Sequence, residues 1–102
     1  MSNNKKQVLA FDFGGGSGRA ILGSLEDGKI QMKEVYRFSN DPVIINGTMY
    51  WDTLRHFFEI KQGIVKAKQE GGFESIGIDT WGVDFGLLDE HGALLERAVH
   101  YR

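Results

Sequence analysis

Hydrophobic and polar residues are arranged along the first forty positions in short runs that predict strands. Residues 7–13, QVLAFDF, form an apolar segment typical of a buried strand. Residues 19–38 predict two further strands joined at Asp27-Gly28, a dipeptide that favours a tight hairpin. In the second of these strands, four hydrophobic residues are predicted to share one face: Ile30, Met32, Tyr36 and Phe38.

After Trp51 the spacing of apolar residues changes to three or four positions, which predicts an amphipathic helix. Asp52 is suited to cap its start, and Gly71-Gly72 is suited to end it. We expect the helix to pack on a sheet through one apolar stripe. That stripe consists of Leu54, Phe57, Phe58, Ile64 and Val65, with Ile60 and Ala67 on its flank.

Strand character returns in residues 73–81, FESIGIDTW, and residues 83–95 predict a further pair of strands that turn at DEHG. Before the helix, Asn46-Gly47 predicts a small second hairpin. The order is a three-strand meander, a helical crossover, and a strand parallel to the first. The predicted class is α/β with the ribonuclease-H-like layout, which actin-like ATPases, sugar kinases and several nucleases share.

Two of the predicted strands end in the same way. VLAFDFGG and IGIDTWG each run from apolar residues into an aspartate and then a glycine, at Asp12 and Asp79. If these strands are parallel neighbours, both acids lie at carboxyl ends, where open α/β sheets bind ligands.

Composition narrows the classes of protein. The chain has 102 residues, of which 41% are hydrophobic, as expected for one small domain or part of a larger one. A net charge of −2 predicts no general attraction to nucleic acid or to a membrane. The absence of cysteine excludes a disulfide framework and a thiolate zinc site. The polar start MSNNKKQ resembles no signal peptide, so a cytoplasmic location is expected.

The three histidines, His56, His91 and His100, lie far apart in the sequence and show no metal-ligand spacing. They are predicted to occupy surface positions.

The glycine-rich turn DFGGGSGR, residues 12–19, matches neither the dinucleotide fingerprint nor a Walker loop. We expect the amides of residues 14–17 to converge on an anion, since consecutive N–H groups form such concavities. Ser17 adds a hydroxyl, and Arg19 adds charge-assisted hydrogen bonds suited to phosphate. Asp12 would repel that phosphate unless a cation lies between them, which implies Mg²⁺. The alternative is an ordinary hairpin loop with a surface acid and a surface arginine.

A second group of candidate residues lies in DTWGVDF, residues 79–85. Asp79 and Asp84 supply carboxylates, Thr80 supplies a hydroxyl, and Trp81 supplies an aromatic face. Carboxylates accept hydrogen bonds from hydroxyl groups while an aromatic ring contacts the C–H face, so the set suits a polyol. The alternative places Trp81 in the core and Asp84 on a solvated strand.

The spacing from DFGGGSGR to SIGIDTWGVDFGLLDEHG resembles the start of the FGGY carbohydrate kinases, and among them the rhamnulokinases. NGTMYWD before the helix and the closing VHYR are similar too. The resemblance implies phosphorylation of L-rhamnulose at its 1-hydroxyl, with ATP and Mg²⁺, in L-rhamnose breakdown. It also implies a set of residues that contact the ATP phosphates: Gly15, Gly16, Ser17, Gly18 and Arg19.

By the same resemblance, Asp12 organises the metal ion and its waters. Gly82 matches a backbone contact to the sugar, with Trp81 and Asp84 as its neighbours. Related kinases often carry small hydroxyl residues where this chain has Gly15 and Gly16.

Family members are much longer and consist of two domains, so residues 1–102 match the amino-terminal part of the first domain. The resemblance places the general base and the adenosine pocket beyond residue 102, and we expect the isolated chain to have no kinase activity. Three alternatives remain open. The chain can belong to a kinase of another ketose or polyol, to a non-catalytic nucleotide- or sugar-binding module, or to a two-metal nuclease that uses Asp12, Asp79 and Asp84.

Overall fold

The computed structural model describes residues 6–82, 84–95 and 99–100, with the backbone alone described at Asp84 and His100. The described part of the chain contains strands β1 (Lys6–Phe13), β2 (Ser17–Glu26), β3 (Lys29–Ser39), β4 (Val43–Ile45) and β5 (Thr48–Tyr50), then helix α1 (Thr53–Gln69), then strands β6 (Ile76–Asp79), β7 (Asp84–Phe85) and β8 (Val99–His100).

The main sheet has the strand order β3-β2-β1-β6. The pairs β1–β2 and β2–β3 are antiparallel, whereas β1 and β6 are parallel. Helix α1 makes the connection that leads to β6. The predicted meander with a helical crossover is therefore confirmed. A second sheet of short strands has the order β4-β5-β8-β7.

Both predicted hairpins form at their predicted dipeptides. Asp27 and Gly28 have φ values of 54° and 76°, and Asn46 and Gly47 have 50° and 79°. These left-handed conformations are the ones a tight two-residue hairpin requires, which explains the sequence at both turns.

Helix α1 begins and ends where its sequence predicts. The Asp52 carboxylate accepts a hydrogen bond from the Arg55 amide at 3.2 Å, which satisfies one of the free N–H groups of the first turn. After Gln69, both Gly71 and Gly72 take positive φ values, which end the helical backbone.

The face that α1 turns to the sheet differs from the predicted stripe. Its buried residues are Glu59, Gly63 and Ala67, with Ile60 and Ile64 packed beside them. The other members of the predicted stripe are exposed: Leu54, Phe57, Phe58 and Val65. The prediction was therefore wrong for these four residues, whereas Ile64 and the two flanking residues, Ile60 and Ala67, do pack against the sheet.

Close approach explains this choice of face. A Cβ atom at Gly63 would lie 2.6 Å from the Phe11 ring, so only a glycine fits where this position of the helix faces the sheet. Phe11 projects from β1 toward α1 and is 1% exposed. Large residues of the predicted stripe would hold the helix too far from the sheet for the Phe11 ring to be covered.

Alternate residues of β1 and β2 form the core under α1. The buried hydrophobic cluster consists of Leu9, Phe11, Phe13, Ala20, Leu22, Phe38 and Ala67. Because side chains alternate across a strand, the intervening Asp12 and Arg19 project from the opposite face of the sheet. The core thus determines on which face the charged residues lie.

The prediction that four hydrophobic residues of β3 share one face is wrong, because the strand contains a bulge. Ala20 pairs with Tyr36, whereas Ile21 pairs with Glu34, so Val35 is an extra residue. The extra residue reverses the alternation, and Met32 lies on the face opposite to Tyr36. The four hydrophobic residues of β3 therefore divide between the two faces of the sheet.

The residues after β6 form less regular structure than predicted. Around DEHG, the described residues form a single bridge between Leu88 and Leu94, and the Asp89 carboxylate accepts hydrogen bonds from the His91 and Ala93 amides. None of the described helices is long and apolar enough to cross a membrane.

Candidate functional site

Two aspartates lie side by side at the carboxyl end of the parallel strand pair. Asp12 of β1 and Asp79 of β6 are register partners, so their side chains lie on one face of the sheet, opposite α1. This confirms the expectation drawn from the two similar strand ends. The pair lies where open α/β sheets bind ligands.

Charged residues continue across the same face of the sheet on the neighbouring strands. Asp12 pairs with Arg19 of β2, which in turn pairs with Arg37 of β3. Arg19 Nη1 lies 2.6 Å from Asp12 Oδ2, and Arg37 forms a two-pronged pair with Glu34 at 3.0 and 2.7 Å. The face therefore carries negative charge over β6 and β1 and positive charge over β2.

Arg19 retains hydrogen-bonding capacity after these contacts. Its Nη2 lies 3.3 Å from Ser17 Oγ, and its Nε is buried with no hydrogen-bond partner among the described residues. A buried donor without an acceptor is costly, because folding removes it from water and returns no bond.

The glycine turn joins β1 to β2 next to this ion pair. The Gly14 amide donates to the Ser17 carbonyl at 2.8 Å and is therefore occupied, which corrects the expectation that it converges on an anion. In the part of the chain that the structure describes, the amides of Gly15 and Gly16 have no hydrogen-bond acceptor. Both residues are exposed at the tip of the turn.

Nothing within the described chain requires glycine at positions 15 and 16. Neither residue has a φ in the left-handed region, and a Cβ atom at either position would have no atom within 4 Å. A residue with a side chain would fit both positions. The described structure therefore gives neither a packing reason nor a backbone reason for glycine at either position.

Gly18 differs from the turn glycines. It is buried, and a Cβ atom on it would lie 2.3 Å from the Phe38 ring. Packing inside the core therefore explains why this position is glycine. Its role as a phosphate contact stays a prediction from the family resemblance.

The segment predicted to bind the sugar lies beyond β6. Trp81 is half-buried and its ring lies 4.2 Å from that of Trp51, which favours a packing role for much of the indole. Trp81 Nε1 is buried with no partner among the described residues. Gly82 is exposed with open space around it. The side chain of Asp84 lies outside the described part of the structure.

Two residues beside the turn were not identified from the sequence. Asn40, which is 3% exposed, donates from Nδ2 to the Gly14 carbonyl at 2.8 Å. His56 Nε2 lies 2.7 Å from Asn40 Oδ1. His56 is half-buried, so its predicted surface position was wrong, whereas His91 is exposed as predicted. The side chain of His100 is not described.

The residues of this site fit a nucleotide phosphate with Mg²⁺. Mg²⁺ takes oxygen ligands, usually one or two carboxylates with waters and phosphate oxygens, and Asp12 and Asp79 supply two adjacent carboxylates. The exposed amides of Gly15 and Gly16 supply donors for phosphate oxygens, with the Arg19 guanidinium close by. Among the described residues there is no group of three His, Cys, Asp or Glu side chains able to hold a metal ion.

Comparisons with known proteins concern the fold and the family of the chain. No protein-family model matches the chain. Solved structures with the same fold include a gluconate kinase from Lactobacillus acidophilus, with a TM-score of 0.75 and 16% identity over 93% of this chain. A ligand-bound xylulose kinase from the same organism gives a TM-score of 0.72 at 16% identity over 92% of the chain. The chain thus has the fold of these solved sugar kinases. It covers 19% of each of the two solved structures.

Curated relatives are more specific. The chain is 48% identical over 96 residues to a rhamnulokinase of Oceanobacillus iheyensis, and 50% identical over 96 residues to one of Halalkalibacterium halodurans. Each match covers 92% of this chain and 20% of the relative. A rhamnulokinase of Bacteroides thetaiotaomicron is 41% identical over 99 residues. The chain belongs to the FGGY family of carbohydrate kinases and spans about a fifth of the length of these relatives.

Proposed function

We propose that the protein to which this chain belongs transfers the γ-phosphoryl group of ATP to the 1-hydroxyl of L-rhamnulose. The observation that carries this proposal is the open glycine turn beside the Asp12–Arg19 pair, at the carboxyl ends of two parallel strands. The likeness to proteins named rhamnulokinase supports the choice of sugar.

The turn binds the phosphate tail of the nucleotide in this proposal. The amides of Gly15 and Gly16 donate to phosphate oxygens at about 2.9 Å, the usual N–H···O distance. The Ser17 hydroxyl and the Arg19 guanidinium add donors on the β2 side, and the bonds from Arg19 gain strength from its charge. Gly18, the last of the proposed phosphate-binding residues, can contribute only backbone groups.

The carboxylates supply the metal side of the site. Asp12 holds Mg²⁺ through its waters, with Asp79 as the neighbouring carboxylate. The ion, when bound, neutralises charge on the β- and γ-phosphates as the phosphoryl group moves. Before nucleotide binds, Arg19 balances the charge of Asp12, so the carboxylate is held in place by a cross-strand partner.

The segment after β6 contacts the sugar. The backbone of Gly82 is exposed and open to a ligand, and Trp81 provides an apolar edge beside it. Asp84 is proposed as an acceptor for sugar hydroxyls. All three residues lie within five positions after Asp79, so the sugar lies next to the metal and the phosphate.

Transfer forms a bond between the sugar 1-oxygen and the γ-phosphorus, and breaks the bond from that phosphorus to the oxygen bridging it to the β-phosphate. ADP leaves with that oxygen, and the hydroxyl proton passes to a general base. We expect that base in a segment of the full-length protein outside this chain. Residues 1–102 then form the amino-terminal part of the first of two domains, which supplies phosphate donors and part of the sugar contacts.

The test is a substrate comparison with the full-length protein. ADP formation is measured with MgATP and, in separate assays, L-rhamnulose, D-xylulose, D-gluconate and glycerol. We expect kcat/KM for L-rhamnulose to exceed the others at least about 100-fold, as expected where hydrogen bonds to substrate hydroxyls discriminate. Preference for another ketose or polyol would keep the kinase and overturn the substrate. Binding of MgATP without turnover of any sugar would favour a non-catalytic module.

The isolated chain gives a matched control. Residues 1–102 are expected to show no measurable ADP formation with L-rhamnulose, since base catalysis alone contributes about 10²–10⁴-fold. Turnover by this chain that is lost in Asp12→Ala would contradict the proposal that the base lies elsewhere.

A further inference from the structure

Asn40 contacts the glycine turn through both its side chain and its backbone. Its Nδ2 donates to the Gly14 carbonyl at 2.8 Å, and its amide donates to the Gly16 carbonyl at 3.2 Å. Asn40 directly follows β3, is 3% exposed, and therefore forms these bonds away from competing water. Two of the carbonyl groups in the turn are held by one residue.

These two bonds fix the direction of two amides. A trans peptide unit is planar, so its carbonyl and its N–H point in opposite directions. Because the Gly14 carbonyl points to Asn40, the Gly15 N–H points away from it. In the same way, the bond to the Gly16 carbonyl turns the Ser17 N–H away from Asn40. The two peptide units are thus oriented before any ligand binds.

His56 fixes Asn40 in turn. Since Asn40 Nδ2 donates to a carbonyl, its Oδ1 is the atom that faces His56 Nε2 at 2.7 Å, and this nitrogen must carry the hydrogen. A reversed Asn40 amide would set its NH₂ group against that hydrogen and its oxygen against the Gly14 carbonyl. The Gly14 carbonyl, which can only accept, therefore selects one of the two orientations of the asparagine, and the hydrogen bond from His56 strengthens that choice.

The His56 ring also joins the two halves of the site. Its centroid lies 5.2 Å from that of Phe13, which precedes the turn, and 6.1 Å from that of Trp81, which lies in the proposed sugar segment. Helix α1 holds His56 in its first turn, where the His56 amide donates to the Asp52 carbonyl at 3.0 Å. The ring thus contacts both segments from a rigid element.

We infer that Asn40 and His56 are positioning residues that orient the glycine turn, and the Gly15 amide in particular, toward the nucleotide phosphates, an inference that rests on the proposed kinase function. Neither residue touches the reacting atoms. Asn40 sets the peptide planes, and the hydrogen bond to His56 holds the Asn40 side chain in place. The pair acts on the nucleotide side of the site, so it should affect ATP far more than sugar.

The kinetic test uses the full-length protein with Asn40→Ala and Asn40→Asp. We expect both to raise the KM for ATP about tenfold, while the KM for the sugar stays within about twofold. The alanine variant separates loss of the donor from the added charge of the aspartate variant. A variant that merely folded less well would lower kcat and leave both KM values unchanged. Ser39→Ala, at an exposed neighbouring position, is the matched control and should behave as the wild type.

His56 variants give the rescue. His56→Phe keeps a ring against Phe13 and Trp81 but loses the donor to Asn40, and it should raise the ATP KM as the Asn40 variants do. His56→Gln restores an N–H donor and should recover most of the ATP affinity. An ATP KM within twofold of wild type in Asn40→Ala and His56→Phe would overturn the inference.

A structural measurement keeps the test independent of turnover. In the isotope-labelled chain, residual dipolar couplings report the directions of the Gly15 and Ser17 N–H bonds. We expect both directions to change in Asn40→Ala and His56→Phe and to return in His56→Gln. Unchanged directions would refute the positioning role even if kinase activity is found. Absence of kinase activity in the wild type, with the predicted changes in direction, would refute the proposed function alone.

Discussion

The turn glycines and Gly18 provide a paired test of why each position is glycine. At Gly16, a Cβ atom has no neighbour within 4 Å, and the backbone φ lies outside the left-handed region. At Gly18, a Cβ atom would lie 2.3, 2.6 and 3.0 Å from three carbons of the Phe38 ring. The first position is open to the outside, and the second is closed by the core.

The expected free energies of unfolding follow from this geometry. Ordinary carbon contacts are about 3.5–4.0 Å, so Gly18→Ala requires the Phe38 ring to move by about 1 Å or more. That ring is 7% exposed and lies 5.3 Å from Phe13, so it cannot move alone. We expect Gly18→Ala to cost about 1–3 kcal/mol. Gly16→Ala should leave stability unchanged or raise it by up to about 1 kcal/mol, because the unfolded chain loses freedom.

Two assays separate the roles. Urea unfolding of the chain measures stability, and the KM for ATP of the full-length protein measures nucleotide binding. Gly16→Val should match wild-type stability yet raise the ATP KM at least about tenfold, since its branched side chain occupies the space of a phosphate oxygen. Gly16→Ser, which resembles the small hydroxyl residues of related kinases, should retain ATP binding. Equal destabilisation by Gly16→Val and Gly18→Ala, or an unchanged ATP KM in Gly16→Val, would refute this reasoning.

Three other predictions concern the proposed metal ligand Asp12, the contact between helix and sheet at Gly63, and the half-buried hydroxyl of Tyr36. Asp12→Asn should lower kcat/KM of the full-length protein about 100-fold or more, because a catalytic metal contributes several kcal/mol; a fall under threefold would contradict its role. Gly63→Val should destabilise the chain by about 1–3 kcal/mol in urea unfolding, since a Cβ atom would lie 2.6 Å from Phe11, and wild-type stability would contradict that contact. The hydrogen bond to Glu59 is the main cause, and burial the second, of a Tyr36 pKa raised above its ordinary value of 10.0. As pH rises, the tyrosine therefore loses its proton at a lower pH in the unfolded chain than in the folded chain. Stability should therefore fall from about pH 10 upward and fall less in Tyr36→Phe, as measured by urea unfolding against pH; an identical pH dependence in both would count against the bond.

Local signals in the sequence predicted the elements that place the site. Asp27-Gly28 and Asn46-Gly47 determine the backbone of their turns by themselves, and Asp52 determines the first turn of α1. The similar ends of β1 and β6 predicted the side-by-side aspartates, because parallel neighbours bring their carboxyl ends to the same edge.

Contacts between distant elements account for what the sequence did not predict. The helix meets the sheet through Gly63 and Glu59, and neither residue adds to a hydrophobic pattern in the sequence. Gly63 leaves space for the Phe11 ring, and Glu59 accepts a hydrogen bond from the Tyr36 hydroxyl. The extra residue in β3, Val35, carries no mark in the sequence, yet it reverses the faces of that strand.

The same limit applies to the support of the site. Asn40 and His56 are 16 positions apart and meet only after α1 has folded against the sheet. The sequence showed an asparagine after a strand and a lone histidine, and neither residue type by itself indicates a role. The sequence predicted free amides at Gly15 and Gly16, was wrong for Gly14, and did not indicate the residues that hold the turn.

A crystal structure of the full-length protein with Mg²⁺ and a non-hydrolysable ATP analogue tests the central claim most directly. We predict phosphate oxygens at about 2.9 Å from the amides of Gly15 and Gly16, with Arg19 on the phosphate and Asp12 joined to the metal through water. Phosphates bound away from the turn, with those amides facing only solvent, would contradict the account.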